Sequence, residues 1–200
     1  MDIRVGNIED LKKVYTSYEQ AFPANERKSF AHIEQLMANS VYKLILAEQK
    51  INCVTETIGY ALVSKIESTK QLWLDFIAIE NHHQSSGYGS RLFNAIVDLY
   101  GQEVLGMFIE IEIPDENTPE FYKQQLKRVT FYERLGALKL DITYLLPSNE
   151  GPVPMYLYYY PISMETSLNR SIIRNTIEMV YSTIHDDVIG QMDYMTLIRI

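Results

Sequence analysis

Apolar residues along this chain fall into two rhythms, one of period two and one near 3.6, and the switches between them mark the elements. Asp2 to Val5 is a short first strand. Asn7, with Asp10 three residues on, reads as a helix cap. Ile8, Leu11, Tyr15, Tyr18 and Phe22 then share a helical face until Pro23 ends it. Ser29 can cap a second helix carrying Phe30, Ile33 and Met37. Val41 to Ala47 predicts a strand, Glu48 to Asn52 its turn, and Thr57 to Ile66 the antiparallel partner. Leu72 to Ile79 is an apolar run rich in aromatic and branched residues, of the length of a buried strand. The polar Glu80 to His83 breaks it. Gly87 and Gly89 stand at the entrance to a helix whose apolar face is Leu92, Phe93, Ile96, Val97 and Tyr100.

Met107 to Ile113 alternates, with Phe108, Glu110 and Glu112 on one side and Met107, Ile109, Ile111 and Ile113 on the other. That predicts a sheet strand with one polar face, closed by Pro114. Thr118-Pro119 opens a helix with apolar positions at Phe121, Tyr122, Val129, Tyr132 and Leu135, and Gly136 stops it. Leu140 to Leu146 and Met155 to Tyr160 read as hairpin strands around the turn-rich Pro147 to Pro154. Ile173, Ile177, Val180 and Ile184 mark an amphipathic helix, and Tyr194 to Ile200 is apolar enough for a strand.

The stretch from Leu72 to Tyr100 carries the first chemistry. Backbone N–H groups at a helix start have no intrahelical partner and carry partial positive charge. Glycines let a diphosphate approach them, so strand, glycine turn and helix together suit an anion. A Walker loop would need a lysine where Tyr88-Gly89-Ser90 has none, and a dinucleotide fingerprint would need a third glycine where Leu92 stands. What remains is Gln84-x-x-Gly87-x-Gly89, directly after Ile77-Ala78-Ile79. This resembles the acetyl-CoA motif of the GNAT superfamily of N-acetyltransferases. Phe131-Tyr132-Glu133-Arg134-Leu135-Gly136-Ala137 resembles the Phe-Tyr-x-x-x-Gly-Phe that closes the last core helix of those enzymes, with alanine for the final aromatic.

The resemblance covers roughly residues 1 to 161 and implies an α/β (α+β) domain of bacterial GNAT type. Its central sheet would be mixed and mostly antiparallel, with helices on both faces. Residues 162 to 200 form an extension that packs on the core or on a partner subunit. The implied reaction moves an acetyl group from acetyl-CoA, the co-substrate, to a primary amine of a small molecule or peptide. Gln84, Ser85, Ser86, Gly87, Tyr88, Gly89 and Ser90 would hold the diphosphate, and the main chain of Ile77, Ala78 and Ile79 the thioester carbonyl. Tyr132 would protonate the departing thiolate, with Tyr122 as fallback. Asp115 to Arg128 looks like an insertion that leaves Asn117 too far back for its usual role. Asp75, then Glu110, are the carboxylates placed to act as base, unless a water chain does so. Glu26 and Arg27, in Phe22-Pro23-Ala24-Asn25-Glu26-Arg27, resemble a segment bordering the acceptor groove, though a solvated loop pair reads equally well. A GNAT-like fold that only binds acyl-CoA as a sensor, or serves as an oligomerisation module, is the alternative.

Composition narrows the partners. The hydrophobic fraction of 46% supplies a sizeable core. A net charge of −8 argues against a nucleic-acid backbone and would suit a cationic amine. Cys53 is the sole cysteine, so no disulfide framework points to secretion, no apolar run is long enough to span a bilayer, and a cytoplasmic protein is expected. His82 and His83 are adjacent, no second His or Cys stands at a zinc-ligand spacing, and no metal is expected. The apolar stripe of the 162–200 extension needs a covering surface, and a two-fold partner, hence a homodimer, is the favoured one.

Overall fold

In the computed structural model, which describes residues 1–163, 168–189 and 198–199, two compact units emerge. The first comprises Met1–Lys65 and Leu74–Glu103, the second Ile66–Trp73 and Val104–Ile200. Helices alternate with strands whose pairings are mostly antiparallel, the α/β (α+β) class expected. No helix among the described residues is long and apolar enough to cross a membrane.

The first unit begins with β1 (Asp2–Val5) and α1 (Ile8–Ala21). The Asn7 side chain accepts from the amides of Glu9 and Asp10, and the Asp10 carboxylate accepts from the Asn7 amide, so the cap is reciprocal. Arg4 bridges Asp10 and Glu48 and holds the Asp10 carboxyl well below the usual carboxylate range. Ser29 caps α2 (Phe30–Ala38) through the His32 amide. Strands β2 (Lys43–Ile51), β3 (Val54–Ile66) and β4 (Gln71–Ile79, in this unit from Leu74) follow in sheet order β1-β2-β3-β4, then α3 (Tyr88–Tyr100). The turn expected at Glu48–Asn52 does not form over that span. β2 runs on to Ile51 across a register shift after Ala47, and the hairpin closes at Asn52-Cys53, both at positive φ. Such a two-residue turn matches the twist of the strands it joins, and the polar Glu48–Lys50 simply occupy a strand.

The second unit contains β5 (Gly106–Glu112), α4 (Pro119–Leu135), β6 (Leu138–Lys139), β7 (Thr143–Leu146) and β8 (Val153–Pro161). After these come α5 (Arg170–Thr183), α6 (Asp186–Ile189) and β9 (Ile198–Arg199). β8 pairs with β5 on one side and with both β6 and β7 on the other, so the expected Leu140–Leu146 strand is broken in its first half. Of the expected Tyr194–Ile200 strand, Ile198–Arg199 pairs with β7; the rest lies outside the described residues. The expected insertion, 115–128, provides the first turns of one continuous α4, and Gly136 ends it at φ +99. An aromatic relay runs from Phe108 stacked on Trp73, through Tyr144, to Tyr181 on α5, and it accounts for two of the chain's tyrosines.

Two sequence expectations change in this unit. The supposed polar face of β5 is covered: Glu112 is buried and ion-paired with Arg128 of α4, and Glu110 is half-buried, accepting from the Tyr144 hydroxyl. The stripe on α5 is likewise covered without a second subunit. Ile173, Ile177, Val180 and Ile184 are buried in the single chain, and the Tyr181 hydroxyl donates to the Leu145 carbonyl at 2.5 Å. A homodimer therefore has to use another surface. Gly106 lies directly beneath the Tyr159 ring, where a Cβ would overlap the phenol. Gly106→Ala should cost about 1–3 kcal/mol by overpacking, read as a lowered thermal midpoint.

Candidate active site

β4 leaves the core as it ends. Leu72 to Phe76 are buried, whereas Ile77, Ala78 and Ile79 are half-exposed. β3 comes unusually close there: a Cβ on Gly59 would sit 2.6 Å from the Ala78 carbonyl oxygen, so only glycine fits. The Glu80 amide donates to the Ile58 carbonyl at 2.8 Å, and a 3-10 turn at Asn81–His83 redirects the chain. The Gln84 side-chain amide donates to the Ile79 carbonyl and to the Asn81 side chain, each at 3.1 Å, and so closes the turn on itself.

The loop then passes through two left-handed residues, Ser85 at φ +61 and Gly87 at φ +79. Gly87 starts α3, and the Arg91 amide makes the first bond of the helix, to the Gly87 carbonyl. Among the described residues, the backbone amides of Ser85 to Ser90 donate no main-chain hydrogen bond. Six amides at a helix start, over a glycine whose added Cβ would meet nothing within 4 Å, make an open cradle for an anion. Tyr88 is turned aside: its hydroxyl donates to Gln49 at 2.8 Å, its ring meets His83 edge-on, and the Arg91 guanidinium lies over it.

Asp75, the first of the expected bases, lies in the same unit inside an ion-paired cluster. The Lys28 ammonium is 3.1 Å from its carboxylate, with the two side chains 5% and 1% exposed, and the Tyr42 hydroxyl donates to the same oxygen. Lys28 is the residue that sequence reading passed over. Its neighbours Glu26 and Arg27 drew attention instead, yet Arg27 turns back to α1 and donates to the Glu19 carbonyl at 2.8 Å. Glu26 closes a turn on the Pro23 carbonyl through its amide. A lysine in a polar stretch gives no local sign of burial; only the carboxylate on β4 explains it.

In the second unit, Tyr132 is the one buried residue of α4 and meets the Phe131 ring at 5.0 Å. Burial pushes its phenol well above the ordinary tyrosine range. Arg128 opposes that rise and Glu112 adds to it. Tyr122 sits a few turns earlier at the surface, its hydroxyl donating to Glu116. Asn117 folds onto Asp115 in an exposed turn ahead of α4, its main-chain and side-chain amides both donating to the Asp115 carboxylate.

The sequence model of the acetyltransferase (GNAT) family matches residues 10–136. No curated protein sequence matches the chain. Several solved structures share its fold. An acetyltransferase of the GNAT family from Bacteroides thetaiotaomicron is 16% identical, covers 92% of this chain and 98% of its own, and superposes with a TM-score of 0.72. The ribosomal-protein-S18-alanine N-acetyltransferase of Escherichia coli is 20% identical over 84% of this chain and 97% of its own, with a TM-score of 0.58. An aminoglycoside 6'-N-acetyltransferase complexed with coenzyme A is 15% identical over 84% of this chain and all of its own, with a TM-score of 0.57. With a family match that runs from α1 through the glycine loop to the end of α4, the chain belongs to the acetyltransferase (GNAT) family and is an acyltransferase.

Proposed function

We propose that the protein transfers an acetyl group from acetyl-CoA to a primary amine of a small molecule or peptide. The observation that carries this reading is the run of unengaged amides from Ser85 to Ser90 around the left-handed Gly87. It fits the diphosphate of coenzyme A, the molecule bound in the similar aminoglycoside acetyltransferase. Similar folds act on spermidine, aminoglycosides and a ribosomal-protein alanine, all amines. A net charge of −8 favours a cationic acceptor.

In the proposed reaction the neutral amine attacks the thioester carbonyl, whose oxygen leans on main-chain amides of Ile77 to Ile79. The N–C bond forms, a base takes the amine proton, the C–S bond breaks, and Tyr132 gives its proton to the thiolate. A phenol pushed upward by burial keeps its proton at neutral pH, as this acid must. For the base, Glu110 takes first place over Asp75, because the Lys28 ammonium beside Asp75 disfavours its taking up a proton, whereas Glu110 accepts from the neutral Tyr144 hydroxyl. kcat/KM should rise with pH through one ionisation and lose that limb in Glu110→Gln. A limb kept in Glu110→Gln but lost in Asp75→Asn would restore Asp75, and a limb kept in both would mean a water chain.

The test is thiol release from acetyl-CoA against a panel of polyamines, aminoglycosides and N-terminal peptides. Turnover on at least one amine is expected. Tight acyl-CoA binding with no turnover on any of them would favour the sensor reading instead.

A further inference from the structure

Lys28 has no part in the reaction above, yet it is the most confined cation of the first unit. Its amide donates to the Tyr18 hydroxyl at 2.7 Å, its carbonyl accepts from the Tyr15 hydroxyl at 3.4 Å, and its ammonium reaches Asp75 while lying 5.4 Å from the Phe76 ring. Asp75 and Phe76 are the last buried residues of β4 before Ile77–Ile79 open to solvent. The other end of that segment is tied as firmly. Glu80 donates its amide to Ile58 and accepts at its carboxylate from Ser17 of α1, at 2.9 Å. Gly59 admits the backbone of Ala78 and Ile79 from below. Three half-exposed strand residues are thus clamped at both ends, by α1 and by the connection that follows it.

Burying an ion pair costs desolvation of both charges, and an apolar pair of similar size is often as stable. Fold stability alone therefore gives little reason for a lysine here. We propose that Lys28 is a positioning residue for acetyl transfer: through Asp75 it fixes the direction of the Ile77–Ile79 amides that meet the thioester carbonyl. This rests on the acetyl-CoA reading of the site.

The experiment titrates acetyl-CoA and CoA separately into wild type, Lys28→Met and Lys28→Met/Asp75→Leu, by calorimetry. Both ligands use the diphosphate loop, but only acetyl-CoA carries the carbonyl, so their affinity ratio isolates the strand contact. Lys28→Met should weaken acetyl-CoA by about fivefold relative to CoA, the worth of one main-chain hydrogen bond. The double variant removes the stranded carboxylate, regains the wild-type melting temperature and keeps the shifted ratio; if the single variant does not fold, the double variant decides. A wild-type ratio in the folded variants, or equal losses for both ligands, overturns the proposal. A wild type that binds neither ligand sinks the acetyl-CoA reading itself, and this inference with it.

Discussion

Tyr132→Phe should lower turnover by roughly a hundredfold or more, the scale of a positioned proton transfer, while leaving acetyl-CoA affinity unchanged. The substitution removes one oxygen from the one buried side chain of α4 and disturbs no packing, because the phenylalanine ring fills the same space. A thiolate that departs without a proton is a poorer leaving group, so the loss falls on kcat and on kcat/KM alike. Tyr122→Phe should be nearly silent, since that hydroxyl serves an exposed bond to Glu116. The opposite pattern, a crippled Tyr122→Phe beside an active Tyr132→Phe, would mean that the extra turns of α4 shift the acid to the earlier tyrosine.

Gly87→Val should reduce acetyl-CoA affinity by roughly a hundredfold or more. Gly87 sits at φ +79, where a β-branched residue is strained by about 1–3 kcal/mol. The loop escapes that strain by turning its amides away. Losing two charge-assisted bonds to phosphate, each about 1.5–3 kcal/mol, produces a loss of that size. The fold should survive, because an added Cβ at Gly87 meets nothing within 4 Å. Calorimetry reads the affinity, and circular dichroism the fold. An unchanged affinity in a folded variant would remove the loop from the binding site.

Where a local rule decides the structure, these features were legible in the sequence. Asn7 and Ser29 cap their helices by side-chain geometry alone, and the left-handed ends at Gly87 and Gly136 follow from glycine itself. The Asn52-Cys53 hairpin was hidden because Glu48 and Lys50 are polar in a strand, and polarity reads as a turn until the strand's partner is known. On β5 the period-two reading was correct, but polar did not mean solvated: α4 brings Arg128 to Glu112 and β7 brings Tyr144 to Glu110. Lys28 was illegible for the same reason, since its partner lies far along the chain on β4. Local pattern finds the elements and the loop; the partners of each carboxylate, Lys28 and Tyr42 for Asp75 and Tyr144 for Glu110, come from far along the chain.

The central claim is that the amides of Ser85 to Ser90 hold the diphosphate of acetyl-CoA. Titrating acetyl-CoA into 15N-labelled protein and following the backbone amide resonances tests it directly. Saturable downfield shifts concentrated at Ser85 to Ser90, absent with acetylated pantetheine that lacks the diphosphate, are the expected result. Saturable binding that leaves those six amides unmoved would contradict it.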